Sequence, residues 1–379
     1  MIRRLFVLVF GAVILAGLLL PAGRGTATAL LLLPEFFPNL PLRPLELLTP
    51  APTHTTVQLA YDGRTSVADL YTPATSGQHG AVIIFLGVAP AGRDDPRVVR
   101  LGQGLARVGL VTLIPQSQDL VDSKVDPSEI DEVVTAFQYL AARPDVAANR
   151  IGIGGFCIGA SLSLDAAEDP RINRQVALVN SFTGYFDLST YAVSILTHSV
   201  APYPPVPGEA RQVWEPAANA TTVLDDHLIS LDPNPSEVAL LRAAIRDPSA
   251  PRPNATRLSS LGQTIWALLN TRDPATAERL LRALPPEDQN KLKVLSPDTH
   301  LDRLRAKVFI MHDRADTTVP VVQSRQLAAA LPPSQVEFDE FQFFNHVDPT
   351  AAVSPFIFIR DAARLTWHMG QILAILEGS

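Results

Sequence analysis

The chain has 379 residues, with 47% hydrophobic and 18% charged side chains. This length and composition are typical of a globular protein with a large core, either one α/β domain with an insertion or two domains. A net charge of -7 without blocks of Lys or Arg argues against nucleic-acid binding, since phosphate contacts need clustered cations. The sequence predicts neither a bound cofactor nor a metal site, and its single cysteine, Cys157, excludes an internal disulfide.

Residues 1–33 are predicted to be a targeting segment. Arg3 and Arg4 precede an apolar run at residues 5–20, which is the order found in signal peptides. As a helix this run is about 24 Å long, shorter than the ~30 Å hydrocarbon core of a membrane. Residues 27–29, Ala-Thr-Ala, resemble a cleavage site, and the apolar patch that follows favours retention at a membrane surface. The segment is therefore a cleaved signal peptide or an N-terminal membrane anchor. Both place the rest of the chain outside the cytoplasm, secreted or anchored.

Residues 34–53 contain many prolines and are predicted to form an extended linker to the main domain at 54–379. Apolar or alternating runs predict strands at residues 55–61, 66–71, 81–86, 110–115, 150–156, 176–180, 307–311 and 335–344. Apolar residues at helical spacing lie between most of these runs and after the last one. The alternation predicts an α/β fold, with a mostly parallel sheet covered by helices on both faces.

The alternation of strands and helices stops near Tyr185. Residues 190–297 are richer in proline and are helical where a period can be seen. We expect this stretch to be an inserted helical lid rather than a separate domain. Its helices carry an apolar stripe and Trp266, and it enters the chain between sheet elements that bear candidate catalytic residues. The lid is therefore expected to cover the mouth of the active site and to favour apolar substrates.

The pentapeptide Gly155-Phe156-Cys157-Ile158-Gly159 lies between a predicted buried strand and a predicted helix. This is the context of a nucleophile elbow, in which a tight turn lifts the nucleophile above the sheet. Glycines on either side of such a turn avoid clashes that bulkier residues would cause. The position of Cys157 at a helix N-terminus favours a thiolate. A buried structural cysteine is the alternative interpretation.

An acid and a base follow the elbow in chain order. Asp316 lies in the loop after the predicted strand at 307–311, where a carboxylate could orient and stabilise an imidazole. His346 follows the last predicted strand and is the candidate general base. Asp313 is the competing acid, and His300 and His312 are alternative bases that both precede the acid.

Two backbone N–H groups are candidates for the oxyanion hole. Ile158 opens the helix after the nucleophile, so its N–H is available to a developing oxyanion. The second donor is expected from the loop after the predicted strand at 81–86, where Gly87 precedes Val88. We assign the Val88 N–H to this role, with an ordinary turn glycine at Gly87 as the alternative.

These residues resemble the dienelactone hydrolase family of the α/β-hydrolase superfamily, over about residues 55–189 and 300–375. That family places a cysteine in the elbow, and the Gly-Phe-Cys157-Ile-Gly motif is similar to its own. The resemblance implies an α/β-hydrolase fold and cleavage of an ester, lactone or related acyl bond of a small molecule. It also implies a Cys157–His346–Asp316 triad with a covalent acyl-enzyme. The inserted lid is not expected in compact members, and Asp313 stands where the family usually has glycine.

Two other functions remain open at this point. A non-catalytic, membrane-anchored binding protein could use the same fold, because cysteine elbows can be poor general esterases. A peptidase of the same fold is the second alternative, although such peptidases usually carry a further large domain.

Overall fold

The computed structural model describes residues 23–37, 43–89, 91–205, 208–247 and 249–378. The predicted apolar run at residues 5–20 and the two arginines before it lie outside the described residues. Within these ranges no helix combines the length and the apolar character needed to cross a membrane.

A single large sheet organises the chain. The strands are β1 Thr53–Tyr61, β2 Arg64–Thr72, β3 His79–Phe85, β4 Val111–Gln116, β5 Val146–Phe156, β6 Val176–Phe182, β7 Ser199–Val200, β8 Gln212–Val213, β9 Lys307–Asp313 and β10 Val336–Phe341. The sheet has eight strands in the order β1-β2-β4-β3-β5-β6-β9-β10. The β1–β2 and β2–β4 pairs are antiparallel and the remaining pairs are parallel. The predicted mostly parallel α/β sheet is thus confirmed.

Helices cover both faces of this sheet. They are α1 Arg24–Phe36, α2 Pro44–Leu48, α3 Pro96–Arg107, α4 Gln118–Val121, α5 Ser128–Ala141, α6 Ile158–Glu168, α7 Leu188–Thr197, α8 Ala218–Ser230, α9 Pro235–Arg246, α10 Ser260–Asn270, α11 Pro274–Leu281, α12 Pro286–Val294, α13 Val322–Ala330 and α14 Pro355–Glu377. Helices α5, α6 and α13 share one apolar core with the sheet, whereas α1, α3 and α14 share a second core on the other face. The elbow therefore lies at the carboxyl end of β5, an interior strand of the sheet. Because the sheet is packed on both faces, this strand holds the elbow rigidly.

The insertion between β6 and β9 consists of helices α7 to α12 and the short antiparallel pair β7–β8. Its helices enclose a separate apolar cluster that includes Leu196, Leu241, Ile265 and Leu268. Trp266 packs against this cluster and lies near Arg252, whose guanidinium carbon is 5.8 Å from the ring centroid. The lid is thus a packed unit rather than a loose loop.

Two helices near the start of the described residues fall on the predicted targeting segment and on the predicted linker. Helix α1 spans part of the predicted leader, and its Ala29 and Leu32 are buried in the second core. Pro34 lies in the last turn of α1, and Pro44 opens α2 at a position where a missing N–H costs little. The linker prediction for residues 34–53 was therefore wrong where helix is present, because these prolines occupy helix ends.

Candidate active site

The elbow joins β5 to α6 through one strained residue. Cys157 has φ 55° and ψ -129°, which is an uncommon conformation for a residue with a side chain. Its N–H donates to the Phe182 carbonyl over 2.9 Å, so the neighbouring strand β6 helps to hold the turn. The strain places the Cys157 side chain above the sheet and at the N-terminus of α6, as a nucleophile elbow requires.

The glycines around the turn are imposed by close backbone contacts. A Cβ on Gly155 would lie 2.3 Å from the Gly159 carbonyl oxygen, and one on Gly159 would lie 2.5 Å from the Leu86 carbonyl oxygen. A Cβ on Gly87 would lie 2.8 Å from the Phe156 carbonyl oxygen. Since real Cβ atoms do not approach backbone so closely, all three positions require glycine.

Asp316 and His346 lie together beside this turn. His346 Nδ1 is 2.8 Å from Asp316 Oδ2, and the imidazole lines the same cavity as Cys157, close enough for that side chain to affect its pKa. Because Nδ1 faces the carboxylate, Nε2 is the nitrogen that can reach the sulfur. Asp316 Oδ1 accepts the N–H groups of Thr318 and Val319 at 2.7 and 3.1 Å. Both carboxylate oxygens are therefore occupied, and the acid has a fixed orientation toward the base.

The electrostatics of these groups favour an imidazolium. Burial acts to lower the pKa of His346, but the charge of Cys157, the hydrogen bond to Asp316 and the hydrogen bond to Cys157 together raise this pKa to about 10. Burial acts to raise the pKa of Asp316, but hydrogen bonds from His312 and His346 hold it well below its usual value. The arrangement therefore stabilises a carboxylate on Asp316 and an imidazolium on His346.

The competing acid and bases have other surroundings. Asp313 accepts the N–H groups of Ala315 and Phe344 at 2.8 and 3.0 Å, so it braces the two loops that carry the acid and the base. His312 is fully buried, with Nδ1 2.7 Å from Ser324 Oγ and Nε2 2.9 Å from the Val319 carbonyl. His300 lines a different cavity.

The two candidate oxyanion donors lie beside Cys157. A Cβ on Gly87 would be 2.9 Å from the Cys157 Cβ and 3.4 Å from the Ile158 nitrogen, which shows how closely the two backbone segments approach. Gly87, Val88, Cys157 and Ile158 all line one cavity. The structure therefore brings the Val88 backbone and the start of α6 to the same place.

A cavity of about 920 Å³ opens from this point and is walled mostly by apolar side chains. Its apolar walls are Leu86, Val98, Leu101, Val125, Phe156, Phe182, Leu188, Ala192, Ile195, Ala220, Val223, Leu224, Leu295, Phe344 and Val347. The lid contributes through α7 and α8, whereas Trp266 on α10 is not part of the wall. Helices α7 and α8 thus form part of the cavity wall, whereas Trp266 belongs to the interior of the lid.

Some contacts at the site could not be predicted from the helical or strand periods of the sequence. Trp214 Nε1 donates to the Asp316 carbonyl over 2.9 Å, and Tyr191 Oη donates to the Thr318 carbonyl over 2.8 Å. The lid therefore holds the loop that carries the acid. At the rim, Arg97 pairs with both Asp95 and Asp348, which joins the start of α3 to the loop after His346.

The Tyr185 hydroxyl is one of the polar atoms of the cavity wall that have no protein hydrogen-bond partner. Tyr185 is buried, stacks on Tyr191 with ring centroids 5.5 Å apart, and lines the cavity. Its hydroxyl oxygen is buried without a hydrogen-bond partner. Burying a hydroxyl without a partner costs free energy unless a ligand or a water molecule forms the missing hydrogen bond.

Residues 111–184, which include the elbow, match the model of the Dienelactone hydrolase family. This part of the chain is therefore similar to the dienelactone hydrolase family. A curated relative, a probable 2-oxo-3-(5-oxofuran-2-ylidene)propanoate lactonase from a Bradyrhizobium species, is 27% identical over 150 residues. That alignment covers 36% of this chain, and it spans 56% of the length of the relative.

Solved structures of hydrolases and peptidases support the fold assignment. The 2,6-dihydroxy-pseudo-oxynicotine hydrolase superposes with a TM-score of 0.50 at 14% identity, covering 86% of this chain and 69% of that one. A puromycin-hydrolyzing peptidase of Mycobacterium tuberculosis has a TM-score of 0.51 at 15% identity, covering 85% and 39%. An acylaminoacyl peptidase of Pyrococcus horikoshii has a TM-score of 0.51 at 13% identity, covering 88% and 44%. At these identities the likeness shows the fold alone.

Proposed function

We propose that this protein is a carboxylic-ester hydrolase that cleaves an ester or lactone with an apolar acyl part, using Cys157 as nucleophile. The observation that carries the proposal is the line of contacts from Cys157 through His346 to Asp316, which opens into the large apolar cavity. The lactonase name of the curated relative supports a lactone as one substrate class. The small-molecule substrate would enter under helices α7 and α8.

The first half of the reaction forms an acyl-enzyme. The Cys157 sulfur attacks the carbonyl carbon, and the carbonyl π electrons move onto its oxygen, which accepts the N–H groups of Ile158 and Val88. Collapse of this tetrahedral species breaks the carbon–oxygen bond of the ester. The leaving alkoxide takes the proton from His346 Nε2, and a thioester on Cys157 remains. In a lactone the resulting alcohol stays attached to the acyl group.

The second half returns the enzyme to its starting state. His346, now neutral, takes a proton from water as the water oxygen attacks the thioester carbon. The same two N–H groups stabilise the second tetrahedral species, which expels the Cys157 thiolate and leaves the carboxylic acid. Asp316 holds the His346 tautomer and stabilises the imidazolium in both halves. All of the bonds broken and formed are accounted for without a cofactor.

The location of the enzyme is a separate proposal that depends on the sequence of residues 1–22. Arg3 and Arg4 before the apolar run at 5–20 favour export, with the catalytic part outside the cytoplasm. Protease added to cells stripped of their outer barrier is expected to digest the protein. Digestion that begins only after lysis would contradict this location.

A substrate panel on the full-length protein tests the hydrolase proposal. The panel contains esters of increasing acyl length, lactones, thioesters and a peptide, each run with wild type and with Cys157→Ala. We expect hydrolysis of esters or lactones by wild type and none by the variant, with cooperative unfolding retained in both. Tight binding of panel members without turnover would favour a binding protein, and turnover of the peptide alone would favour a peptidase.

A further inference from the structure

The last helix, α14, exposes large apolar side chains on its outer side. Its inner side is buried in the second core through Leu365, Met369 and Leu373. On the outside, Phe356 is 77% exposed, Ile359 is 67% exposed and Trp367 is 58% exposed. Scattered apolar residues are normal on a protein surface, but several large ones on one helix usually mark an interaction site.

These residues belong to one row along the helix. The row runs through Phe356, Ile359, Ala363 and Trp367 at spacings of three and four residues, and Gly370 and Ala374 continue it. Helix α1 packs on this continuation, because a Cβ on its Gly25 would lie 2.3 Å from the Gly370 carbonyl oxygen and 3.1 Å from the Ala374 nitrogen. The C-terminal part of the row is therefore covered by α1, and the N-terminal part is uncovered among the described residues.

The neighbouring helices extend this apolar surface. Helix α1 packs against both α14 and α2. The sequence of α1 has no charged residue between Arg24 and Glu35, and its Leu30, Leu31 and Leu33 are only half-buried. On α2, Leu47 is 80% exposed and Leu48 is 67% exposed. We call the exposed apolar residues of α14, α1 and α2 together the apolar face.

The charges on α14 fit an occupant with anionic headgroups. Its exposed or half-exposed charged side chains in the uncovered part are Arg360 and Arg364. Asp361 is fully buried and pairs with Arg360 at 2.7 Å, and the other acid of the helix, Glu377, lies at the far end. The uncovered row is therefore apolar and basic in a chain whose net charge is -7. Such a composition is typical of helices that lie at a membrane interface.

The position of residues 1–22 in the chain favours a lipid surface as the occupant of the apolar face. Residues 1–22 join α1 at Gly23, and Arg24 lies close enough to Glu377 to affect its pKa. The apolar run at residues 5–20 thus connects to the same helix pair that carries the apolar face. If that run enters a membrane, α1 and α14 are held within a few residues of the lipid, and Trp367 lies one helical turn from the α1 contact at Gly370.

We propose that the apolar face docks on a lipid surface, with Phe356 and Ile359 at the boundary of the acyl chains and Trp367 at the level of the headgroups. Trp is favoured at this depth because its ring is apolar and its N–H can reach water. The face adjoins the candidate active site, since Glu35 near the end of α1 and Pro349 before α14 both line the cavity. The docking proposal does not depend on the hydrolase activity.

Fluorescence quenching by brominated lipid tests the proposal on the full-length protein. The chain has three tryptophans, so wild type, Trp367→Phe and the matched control Trp266→Phe are each mixed with vesicles of phosphatidylcholine and anionic phosphatidylglycerol, with and without bromine on the acyl chains. We expect bromolipid to quench wild type and Trp266→Phe, and quenching to fall at least about threefold in Trp367→Phe. Equal quenching in all three proteins would overturn the proposal and leave residues 1–22 or a second copy of the chain as the occupant.

A second set of variants tests the contribution of the row itself. Phe356→Glu combined with Ile359→Glu should reduce the quenching of Trp367 at least about twofold, because carboxylates oppose insertion. Val213→Glu combined with Leu240→Glu changes exposed apolar residues of the lid and should leave quenching unchanged. Unchanged quenching in the first pair, or an equal loss in both pairs, would contradict docking through α14.

Discussion

The elbow and the lid enclose the same cavity, but different kinds of contact hold them. At the elbow, main-chain atoms set the geometry: Gly155, Gly159 and Gly87 admit no Cβ, and Cys157 has a positive φ. In the lid, apolar side chains pack around their own cluster, and α7, α8 and Leu295 after α12 reach the cavity. The position of Cys157 therefore depends on backbone positions that admit no Cβ. The cavity wall, in contrast, depends on side chains that can be exchanged.

The largest effect is expected at Gly155. In Gly155→Ala the new methyl group would meet the Gly159 oxygen and the Ala160 Cα, both of them backbone atoms. We expect a loss of about 3 kcal/mol or more in the free energy of unfolding, measured in urea, and loss of activity. Gly154→Ala is the matched control, because its Cβ would meet the end of the Ile84 side chain at 3.1 Å and the Ile83 carbonyl oxygen at 3.6 Å, an ordinary contact distance. Similar stability in both variants would show that the elbow is not rigid.

A large effect on rate is expected at Asp316. In Asp316→Asn the amide can no longer stabilise the His346 imidazolium, and kcat should fall about 100-fold or more. Asp313→Asn is the control, since Asp313 accepts loop N–H groups and does not face His346. It should lower the free energy of unfolding by about 1–2 kcal/mol and change kcat much less. A greater loss of kcat in Asp313→Asn would mean that the acid has been misassigned.

The elbow and the acid also show which features could be predicted from the sequence. Continuous apolar runs located most strands of the sheet, and the glycine spacing located the elbow, because both patterns are local. The order of nucleophile, acid and base selected three residues that the structure places together, although their catalytic roles remain predictions. The choice between Asp316 and Asp313 depends on which carboxylate faces His346, and spacing along the chain carries no such information.

Other features depend on contacts between distant parts of the chain. Helix α1 looked like part of a leader, because the sequence cannot show that Gly25 packs against Gly370. The lid was located by the change in composition, but the sequence could not show that Trp266 packs inside the lid. The hydrogen bond from Trp214 to the Asp316 carbonyl involves one side chain in an aperiodic segment, so no sequence pattern indicates it.

Helix α6 begins at the elbow and ends at a buried carboxyl, which gives the rigid region a pH dependence. Burial raises the pKa of Glu168 from 4.5 to about 9, and nearby Asp302 adds to the increase. A carboxyl whose pKa is raised in the folded state contributes stability that is lost as pH rises, here from about 4.5 toward 9. Glu168→Gln should therefore be more stable than wild type by about 2 kcal/mol near pH 8, with little difference near pH 4. Parallel pH profiles for both proteins would contradict this account.

In the lid, a change of wall side chain should alter selectivity rather than stability. Val223→Trp adds bulk to the part of α8 that lines the cavity. We expect KM for long acyl chains to rise about tenfold while short esters are little affected. Val213→Trp, on an exposed part of the lid, should leave the chain-length profile unchanged. The same profile in both variants would show that α8 does not contact the substrate.

The smallest effect is expected at Tyr185. Its hydroxyl lines the cavity without a protein partner, so it can donate a hydrogen bond to a substrate oxygen. Tyr185→Phe should raise KM about threefold and leave the free energy of unfolding nearly unchanged. Tyr191→Phe is the contrast, because its hydroxyl already donates to the Thr318 carbonyl and its loss should reduce stability. An unchanged KM in Tyr185→Phe would exclude that contact with the substrate.

Intact-mass spectrometry during turnover of a slow ester tests the central claim, that Cys157 carries the acyl group. Wild type stopped early in the reaction should gain the mass of one acyl group, and digestion should place it on the peptide containing Cys157. Cys157→Ala should unfold as cooperatively as wild type but show neither the adduct nor turnover. An adduct on another residue, or full turnover in Cys157→Ala, would contradict the assignment.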